Sequence, residues 1–168
     1  MSSYDYGKPE ICAWVRTYFP RNSTILDVGA CDGKWRRLLP EYPNMDGVEA
    51  WPPNFRTLRV DGYRDLFLDD IRRFKFEYYD LVILGDVIEH LTVEEAQMVL
   101  AYVTPRCRDT IIAVPFLFKQ GDKDGNPFEI HIQDDLTPEN FEARYPGFEV
   151  LLRARDNYCY YHKGPGIE

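Results

Sequence analysis

An almost uninterrupted apolar run, residues 79–84, lies near the middle of the chain. A strand with one solvent face alternates apolar and polar residues, whereas this run presents apolar side chains to both faces. Strands of that kind are typical of parallel sheets that helices cover on both sides. The run therefore predicts an α/β fold built on a largely parallel sheet.

Predicted helices and strands alternate along the rest of the chain. The spacing of apolar residues predicts a first helix over residues 9–19, and a capping box at Thr92 and Glu95 predicts the start of a later one. The other predicted strands are residues 23–29, 46–50, 65–68, 110–114, 148–152 and 157–161, and the other predicted helices are residues 34–39 and segments that begin near Pro52 and at Thr137. This order predicts a three-layer α/β/α sandwich around a mostly parallel seven-stranded sheet, with an antiparallel C-terminal edge strand from the closing hairpin.

Composition limits the class of protein. The chain shows no internal repeat or linker, so we expect a single domain over residues 1–168. Its contents of 45% hydrophobic and 29% charged residues are ordinary globular values, which exclude disorder or coiled coil as the main architecture. No apolar run approaches the ~20 residues of a membrane span, and the N-terminus lacks the pattern of a signal peptide. We therefore expect a cytoplasmic protein without a membrane partner.

The net charge of the chain limits the kinds of molecule that it can bind. The chain has 28 acidic and 20 basic residues, a formal net charge of −8. This balance opposes binding to a phosphate backbone, because cationic side chains supply most of that affinity. We therefore expect no nucleic-acid partner, and no sequence feature indicates the oligomeric state.

The loop after the first predicted strand, residues 23–29, carries two glycines that suit a ligand site. In open α/β sheets ligands bind beyond the carboxyl ends of the strands, and this strand ends at Asp27 and Gly29. Gly29 lets a ligand approach the backbone, and Gly33 permits a tight entry into the next helix. A dinucleotide fingerprint would read G-x-G-x-x-G, so the G-x-x-x-G spacing here disfavours an NAD-dependent oxidoreductase. Asp27 and Asp32 would also repel a pyrophosphate.

Acidic residues follow the next three predicted strands as well. Glu49 ends the second strand, where an acidic side chain can accept both hydroxyls of a ribose. Asp69 and Asp70 follow the third strand, where a carboxylate can accept an amino group of adenine, and Asp86 follows the fourth. A single acid after a strand could be solvated or cap a helix, but four in succession favour a nucleoside site.

These residues resemble the class I S-adenosylmethionine-dependent methyltransferases, a seven-strand Rossmann-like family, in a small bacterial-type form. The match runs over residues 24–114, and the closing hairpin extends it to the C-terminus. The resemblance implies S-adenosylmethionine as the cofactor and methyl transfer as the reaction. The cofactor-binding residues that it implies are Asp27, Gly29, Ala30 and Gly33 for the methionyl part, Glu49 for the ribose, Asp70 and Ile71 for the adenine with Asp69 as the alternative, and Ala50, Gly85 and Asp86 beside them. One departure is Cys31, where many members have a glycine.

A second resemblance raises the question of a metal. The segment from Asp86 through Glu89 to His90 resembles a D/E-x-x-E-H-L segment that is common among small-molecule methyltransferases. In small-RNA 2′-O-methyltransferases and ubiquinone-pathway O-methyltransferases a similar segment binds a divalent metal. Carried over, Asp86, Glu89, His90 and His131 would be the ligands, and they would suit magnesium, manganese or iron(II). Most methyltransferases with this segment bind no metal, so the alternative is that Glu89 and His90 only orient the loop before Thr92.

The long stretch 115–136 has no clear periodicity, and a loop of that length in a compact domain is often functional. It contains a G-N-P-x-E-x-H stretch, residues 125–131, that is similar to one in small bacterial methyltransferases. His131 is the best candidate for a general base, since its unperturbed pKa is near ~6.5. Asp86 and His90 are the other catalytic candidates, and the alternative for His131 is a role in pinning the loop. The candidates for an aromatic wall against the acceptor are Tyr4, Tyr6, Phe116 and Phe118.

We therefore predict a methyltransferase that moves a methyl group from S-adenosylmethionine to a small-molecule acceptor at oxygen. One alternative is an RNA or protein methyltransferase, although the charge and the absence of an RNA-binding appendage count against RNA. The other is a regulatory or partner subunit that binds the cofactor without methyl transfer, which the small size of the chain favours.

Overall fold

The computed structural model describes residues 5–58 and 62–165, so the candidate wall residue Tyr4 lies outside the described residues. In chain order the elements are α1 (Lys8–Tyr18), β1 (Ile25–Val28), α2 (Lys34–Leu38), β2 (Met45–Glu49), α3 (Pro52–Leu58), β3 (Leu66–Leu68), β4 (Tyr79–Gly85), α4 (Val93–Val103), β5 (Cys107–Pro115), α5 (Pro138–Arg144), β6 (Glu149–Arg155) and β7 (Tyr158–Lys163). Short 3-10 turns lie at Ile88–His90, Thr104–Arg106 and Pro127–Glu129. The order of helices and strands is the one that the sequence predicts.

One seven-stranded sheet forms the middle layer, in the order β3-β2-β1-β4-β5-β7-β6. Strands β1 to β5 pair in parallel, and β7 pairs antiparallel with both β5 and β6. The predicted fold class is confirmed. The antiparallel C-terminal strand is β7, and it lies one place inside the edge of the sheet. The edge position is taken by β6, the first strand of the closing hairpin.

Strand β4 shows why the sheet needs helices on both faces. Its residues alternate between two cores, because successive side chains of a strand point to opposite sides. Leu81 and Ile83 pack in a cluster with residues of α1 and α2, whereas Val82 and Leu84 pack with residues of α4 and α5. The run 79–84 therefore contributes side chains to the hydrophobic cores on both faces of the sheet.

Helix α4 begins where the sequence predicts. The Glu95 amide donates to Thr92 Oγ1 at 3.1 Å, and the Thr92 amide donates to Glu95 Oε2 at 3.0 Å. This reciprocal cap satisfies two amides that the first turn would leave unbonded. It fixes the start of α4 directly after the turn Ile88–His90, which faces the site described below. Within residues 5–58 and 62–165, no helix combines the length and the apolar character that crossing a membrane requires.

Candidate functional site

A cleft of about 360 Å³ lies at the carboxyl ends of β1, β2 and β4. This volume falls within the range of small-molecule sites. Most of the predicted cofactor-binding residues line it, namely Gly29, Ala30, Glu49, Ala50, Asp70, Ile71, Gly85 and Asp86. The alternative adenine residue Asp69 lies there as well, whereas Asp27 and Gly33 are not part of the lining.

The loop after β1 owes its tight turn to Gly29. Its φ of +69° lies in the left-handed region, and a Cβ there would meet Val87 Cγ2 at 3.0 Å. The amides of Gly29 and Ala30 both donate to the Val48 carbonyl, at 2.9 and 3.1 Å. The loop is therefore fixed to β2, and its backbone is presented to the cleft.

Asp27 does not line the cleft. Its side chain is buried and accepts a hydrogen bond from the Tyr63 hydroxyl at 2.6 Å. Burial raises the pKa of Asp27 to about 7, although the Tyr63 hydrogen bond opposes this shift. In this structure the Asp27 side chain bonds to Tyr63, a partner that no sequence signal indicated.

Replacing Asp27 with asparagine should change how stability depends on pH. The folded-state pKa of about 7 lies above the ordinary value of 3.8, so wild-type stability falls as pH rises from about 4 to 7. Between pH 5 and pH 8 the wild type should lose about 2–3 kcal/mol that Asp27→Asn does not lose. Urea unfolding of both proteins at the two pH values measures the difference. Parallel pH profiles would contradict this account of the carboxyl.

Glu49 is held by the backbone on both of its oxygens. Oε2 accepts from the Cys31 amide at 2.8 Å, and Oε1 accepts from the Trp51 amide at 2.7 Å. Burial raises the pKa of Glu49, while these two amides lower it. Each carboxylate oxygen has more than one acceptor position, so the fixed carboxylate can still accept two hydroxyl groups from the cleft.

Asp70 also has a fixed hydrogen-bond partner, the guanidinium of Arg72. It accepts from the Arg72 guanidinium, through Nε at 3.0 Å and Nη2 at 2.5 Å, and Asp69 accepts from Arg73 Nε at 2.6 Å. Burial raises the pKa of Asp70, but the Arg72 hydrogen bonds outweigh it and leave that pKa below its ordinary value. Asp70 is therefore an ionised acceptor that a ligand amino group would share with Arg72.

Glu89, His90 and His131 form a cluster at the other side of the cleft. One potential ligand atom from each lies within 4.8 Å of the others. The Glu89 side chain is 0% exposed, and neither of its oxygens has a hydrogen-bond partner within the described part of the chain. Burying an ionised carboxylate without partners costs free energy, so Glu89 is stable here when it is protonated or when it pairs with a cation.

In both His90 and His131, the Nδ1 atom lies within hydrogen-bond distance of a backbone carbonyl of the long loop. His90 Nδ1 lies 3.1 Å from the Ile130 carbonyl, and His131 Nδ1 lies 2.7 Å from the Phe118 carbonyl. A carbonyl only accepts, so we infer that Nδ1 carries the proton of each neutral ring and that Nε2 has the lone pair. Burial lowers the pKa of His90 to about 4 and also lowers the pKa of His131. Both rings are therefore neutral near pH 7.

Asp86 lies beside this cluster but is not one of its three members. Both of its carboxylate oxygens accept from the Tyr158 hydroxyl, at 2.8 Å each. Tyr158 is the first residue of β7 and is buried. Sequence reasoning missed this partner, because only the pairing of β7 with β5 brings it to the end of β4.

The long loop after β5 forms one wall of the cleft. Its amides at Ile132 and Gln133 both donate to the Glu89 carbonyl at 2.9 Å, and Gln133 Nε2 donates to the Ile88 carbonyl at 2.8 Å. Phe118 lines the cleft and packs edge-on against His131, with centroids 5.4 Å apart. Two other candidates are described by the structure, and neither lines the cleft: Phe116 is buried in the core, and Tyr6 packs against Tyr158.

Several solved structures of similar fold are methyltransferases. Magnesium protoporphyrin IX methyltransferase from Synechocystis PCC 6803, solved with bound S-adenosylmethionine, is 14% identical with a TM-score of 0.66, over 92% of this chain and 76% of its own. An S-adenosylmethionine-dependent methyltransferase from Clostridium acetobutylicum ATCC 824 is 14% identical with a TM-score of 0.70, over 98% and 94%. The methyltransferase domain of bacterial CtHen1-CN is 19% identical with a TM-score of 0.66, over 92% and 95%.

These likenesses define the fold. The chain has the fold of class I S-adenosylmethionine-dependent methyltransferases, as the sequence resemblance implies. No protein-family model matches the sequence, and no curated protein matches it either.

Proposed function

We propose that this protein is a methyltransferase that binds S-adenosylmethionine in the cleft and transfers its methyl group to a small-molecule acceptor, at oxygen. The observation that carries the proposal is Glu49, a buried carboxylate fixed at the end of β2 inside a cleft of about 360 Å³. It stands in a fold shared with a methyltransferase that was solved with this cofactor.

The lining suggests how the cofactor lies. Glu49 would accept the two ribose hydroxyls, and Asp70 with Ile71 would meet the adenine. The Gly29 and Ala30 loop would lie along the methionyl part. Residues at the end of β4, Gly85 and Asp86, would then face the sulfonium methyl group.

The reaction is a direct displacement. The acceptor oxygen attacks the methyl carbon, the carbon–sulfur bond breaks with its electrons moving to sulfur, and the hydroxyl proton passes to a base. Most of the acceleration in such a reaction can come from alignment and exclusion of water. Neutral His131 is the proposed base, because its Nε2 can take the proton; His90 and Asp86 are the remaining candidates.

We also propose that Glu89, His90 and His131 hold a divalent cation. The unbonded oxygens of buried Glu89 and the inferred Nε2 lone pairs fit that role, and a carboxylate with imidazoles suits magnesium, manganese or iron(II). When bound, such a cation would lower the pKa of an acceptor hydroxyl and offset the negative charge on its oxygen after the proton is lost. Metal binding through His131 would use the lone pair that a base needs, and Asp86 would then be the candidate base.

Exposed apolar side chains of the long loop favour a small acceptor that is itself largely apolar. Four apolar side chains of the long loop are 39–70% exposed: Leu117, Phe128, Ile130 and Ile132. Phe128 and Ile132 are part of the cleft lining itself. An apolar ring that carries a hydroxyl would cover these side chains and point its oxygen inward.

Calorimetry with S-adenosylmethionine and S-adenosylhomocysteine tests the proposal, followed by transfer of labelled methyl to phenols, catechols, RNA and protein in the presence of Mg²⁺ or Mn²⁺. We expect micromolar binding of both cofactor forms and label on small hydroxylated acceptors. No binding by folded protein would overturn the proposal. Binding without transfer to any acceptor would favour a partner subunit, and label on RNA or protein would correct the acceptor class.

A further inference from the structure

Glu129 places a carboxylate in the wall of the cleft. The residue belongs to the long loop after β5 and lines the cleft next to Phe128. Gln120, which also lines the cleft, donates through Nε2 to the Glu129 carbonyl at 2.8 Å and to Glu129 Oε2 at 3.0 Å. The Gln120 carbonyl in turn accepts from the His131 amide at 3.0 Å. These bonds fix both the backbone and the side chain of Glu129 in the cleft wall.

The lysines and arginines around the cleft do not pair with Glu129. Within the part of the chain that the structure describes, those that line the cleft are Lys34, Arg72 and Lys123. Lys34 and Arg72 form salt bridges with aspartates outside the long loop, and no salt bridge joins Lys123 to Glu129. Of the two Glu129 oxygens, only Oε2 has a hydrogen-bond partner among the described residues. The other oxygen can therefore accept from a ligand.

The charge of Glu129 acts at two places along the cleft. Burial raises the pKa of Glu89, and the charges of Asp86 and Glu129 add to that shift. Burial also raises the pKa of Glu49, against the bonds from two backbone amides, and the charge of Glu129 again adds to the shift. Glu129 is therefore within electrostatic reach of both the proposed ribose site and the three-residue cluster that contains Glu89. In the proposed reaction the acceptor hydroxyl meets that cluster, so Glu129 borders the space for the acceptor.

A cation bound at that cluster would not neutralise Glu129. Glu129 is not one of the three members of the cluster. The carboxylate that would meet the cation is Glu89, which is 0% exposed and has no hydrogen-bond partner on either oxygen within the described residues. Glu129 would keep its negative charge beside the acceptor. An acceptor with a negative charge would be repelled there, and one with a positive charge would be attracted.

Apolar side chains lie on the same wall as this carboxylate. Phe128 and Ile132 line the cleft and are 39% and 52% exposed, and Phe118 lines the cleft as well. In small-molecule sites, apolar walls bind the body of the ligand, and a few polar groups fix its orientation. This combination suits an aromatic ring that carries a hydroxyl and, at the end of a short chain, an ammonium group.

We propose that Glu129 determines acceptor specificity by binding a positively charged group, so that the acceptor is a hydroxylated aromatic compound with an ammonium side chain. This inference rests on the proposed function. The ammonium group donates to the Glu129 carboxylate, and the ring then directs its hydroxyl toward the reacting groups. Phenols with a carboxylate, and phosphate-bearing acceptors such as RNA, are disfavoured by the same charge.

Three phenols of similar shape and different charge test the inference. Tyramine carries an ammonium group at the end of its side chain, para-ethylphenol is neutral, and phloretate carries a carboxylate. Initial rates of labelled-methyl transfer from S-adenosylmethionine are measured in the presence of Mg²⁺ for wild type and Glu129→Gln. For wild type we expect a kcat/KM about 10-fold higher with tyramine than with para-ethylphenol, and the lowest value with phloretate.

The variant should remove this preference without removing the loop contact. In Glu129→Gln, kcat/KM should fall about 10-fold for tyramine, stay unchanged for para-ethylphenol and rise for phloretate. Glutamine keeps an oxygen that can accept from Gln120, so the loop stays fixed. Asp124→Asn is the matched control, because it removes one carboxylate from an exposed position of the same loop that does not line the cleft. It should keep the wild-type order of the three phenols.

Other results would overturn the inference. An equal loss for all three phenols in Glu129→Gln would mean that Glu129 only supports the loop. A wild type that does not prefer tyramine would contradict a positively charged acceptor. Binding of S-adenosylmethionine without transfer to tyramine would also overturn the inference, while leaving the cofactor site in place. Failure of wild type to bind S-adenosylmethionine would instead contradict the proposed function.

Discussion

Replacing Glu49 with alanine should weaken S-adenosylmethionine binding by about 100-fold or more. The proposed site loses two charged acceptors for the ribose, each worth roughly 1.5–3 kcal/mol. It also loses the bonds that the carboxylate accepts from the amides of Cys31 and Trp51, so the loop after β1 is less firmly placed.

Glu49→Gln separates these two effects. The amide keeps the size of the side chain and one acceptor oxygen, but its NH₂ would face an amide donor. We expect an affinity between those of wild type and Glu49→Ala. Calorimetry with S-adenosylmethionine measures all three proteins, and Glu142→Ala, at an exposed position on α5, is the matched loss of one carboxylate. Wild-type affinity in Glu49→Ala would show that the ribose lies elsewhere.

Replacing Glu89 with glutamine should have opposite effects with and without metal. In chelator at pH 8, we expect the variant to melt about 5–10 °C higher than wild type, since the buried charge is gone. With Mn²⁺ in excess, wild type should gain stability by mass action, whereas the variant should gain little. Its affinity for Mn²⁺ should fall by about 100-fold or more, because a carboxylate ligand is lost.

The pH dependence of this effect has a definite sign. Burial raises the pKa of Glu89 well above its ordinary value, and the charge of Asp86 adds to the shift. The unfolded chain therefore releases this proton first, and wild-type stability falls as pH rises above about 4.5. In chelator the advantage of Glu89→Gln should be small at pH 5 and large at pH 8.

Thermal melting at both pH values and titration with Mn²⁺ measure these effects, with Glu142→Gln as the control. Binding of Mn²⁺ that is equal in wild type and Glu89→Gln, or absent from both, would remove the metal proposal. His131 would then keep its lone pair for the role of base.

Local signals were enough to predict the frame of the fold. The run 79–84, the cap at Thr92 and the acids at strand ends each depend on residues close in sequence, and parallel strands bring their carboxyl ends to one edge. That is why Glu49, Asp70 and Asp86 could be placed in one cleft before the structure was known.

The partners of these acids could not be predicted in the same way. Tyr63 donates to Asp27 and Tyr158 donates to Asp86, and both contacts join residues that are far apart in sequence. The burial of Lys8 was not predicted either, because a lysine near the start of a helix is ordinarily solvated. Its burial follows from how tightly Gly7 packs on the final hairpin.

The anchoring of the long loop bears on how acceptor preference could diversify. Glu89 faces the cleft with its side chain, while its carbonyl holds the amides of Ile132 and Gln133. The attachment is made at the loop's far end, by these two amides and by the Gln133 side chain, which donates to the carbonyls of Ile88 and Leu91. The side chains of Phe128 and Ile132 line the cleft but take no part in this attachment, so they can be exchanged for new substrates while the anchored end of the loop stays in place.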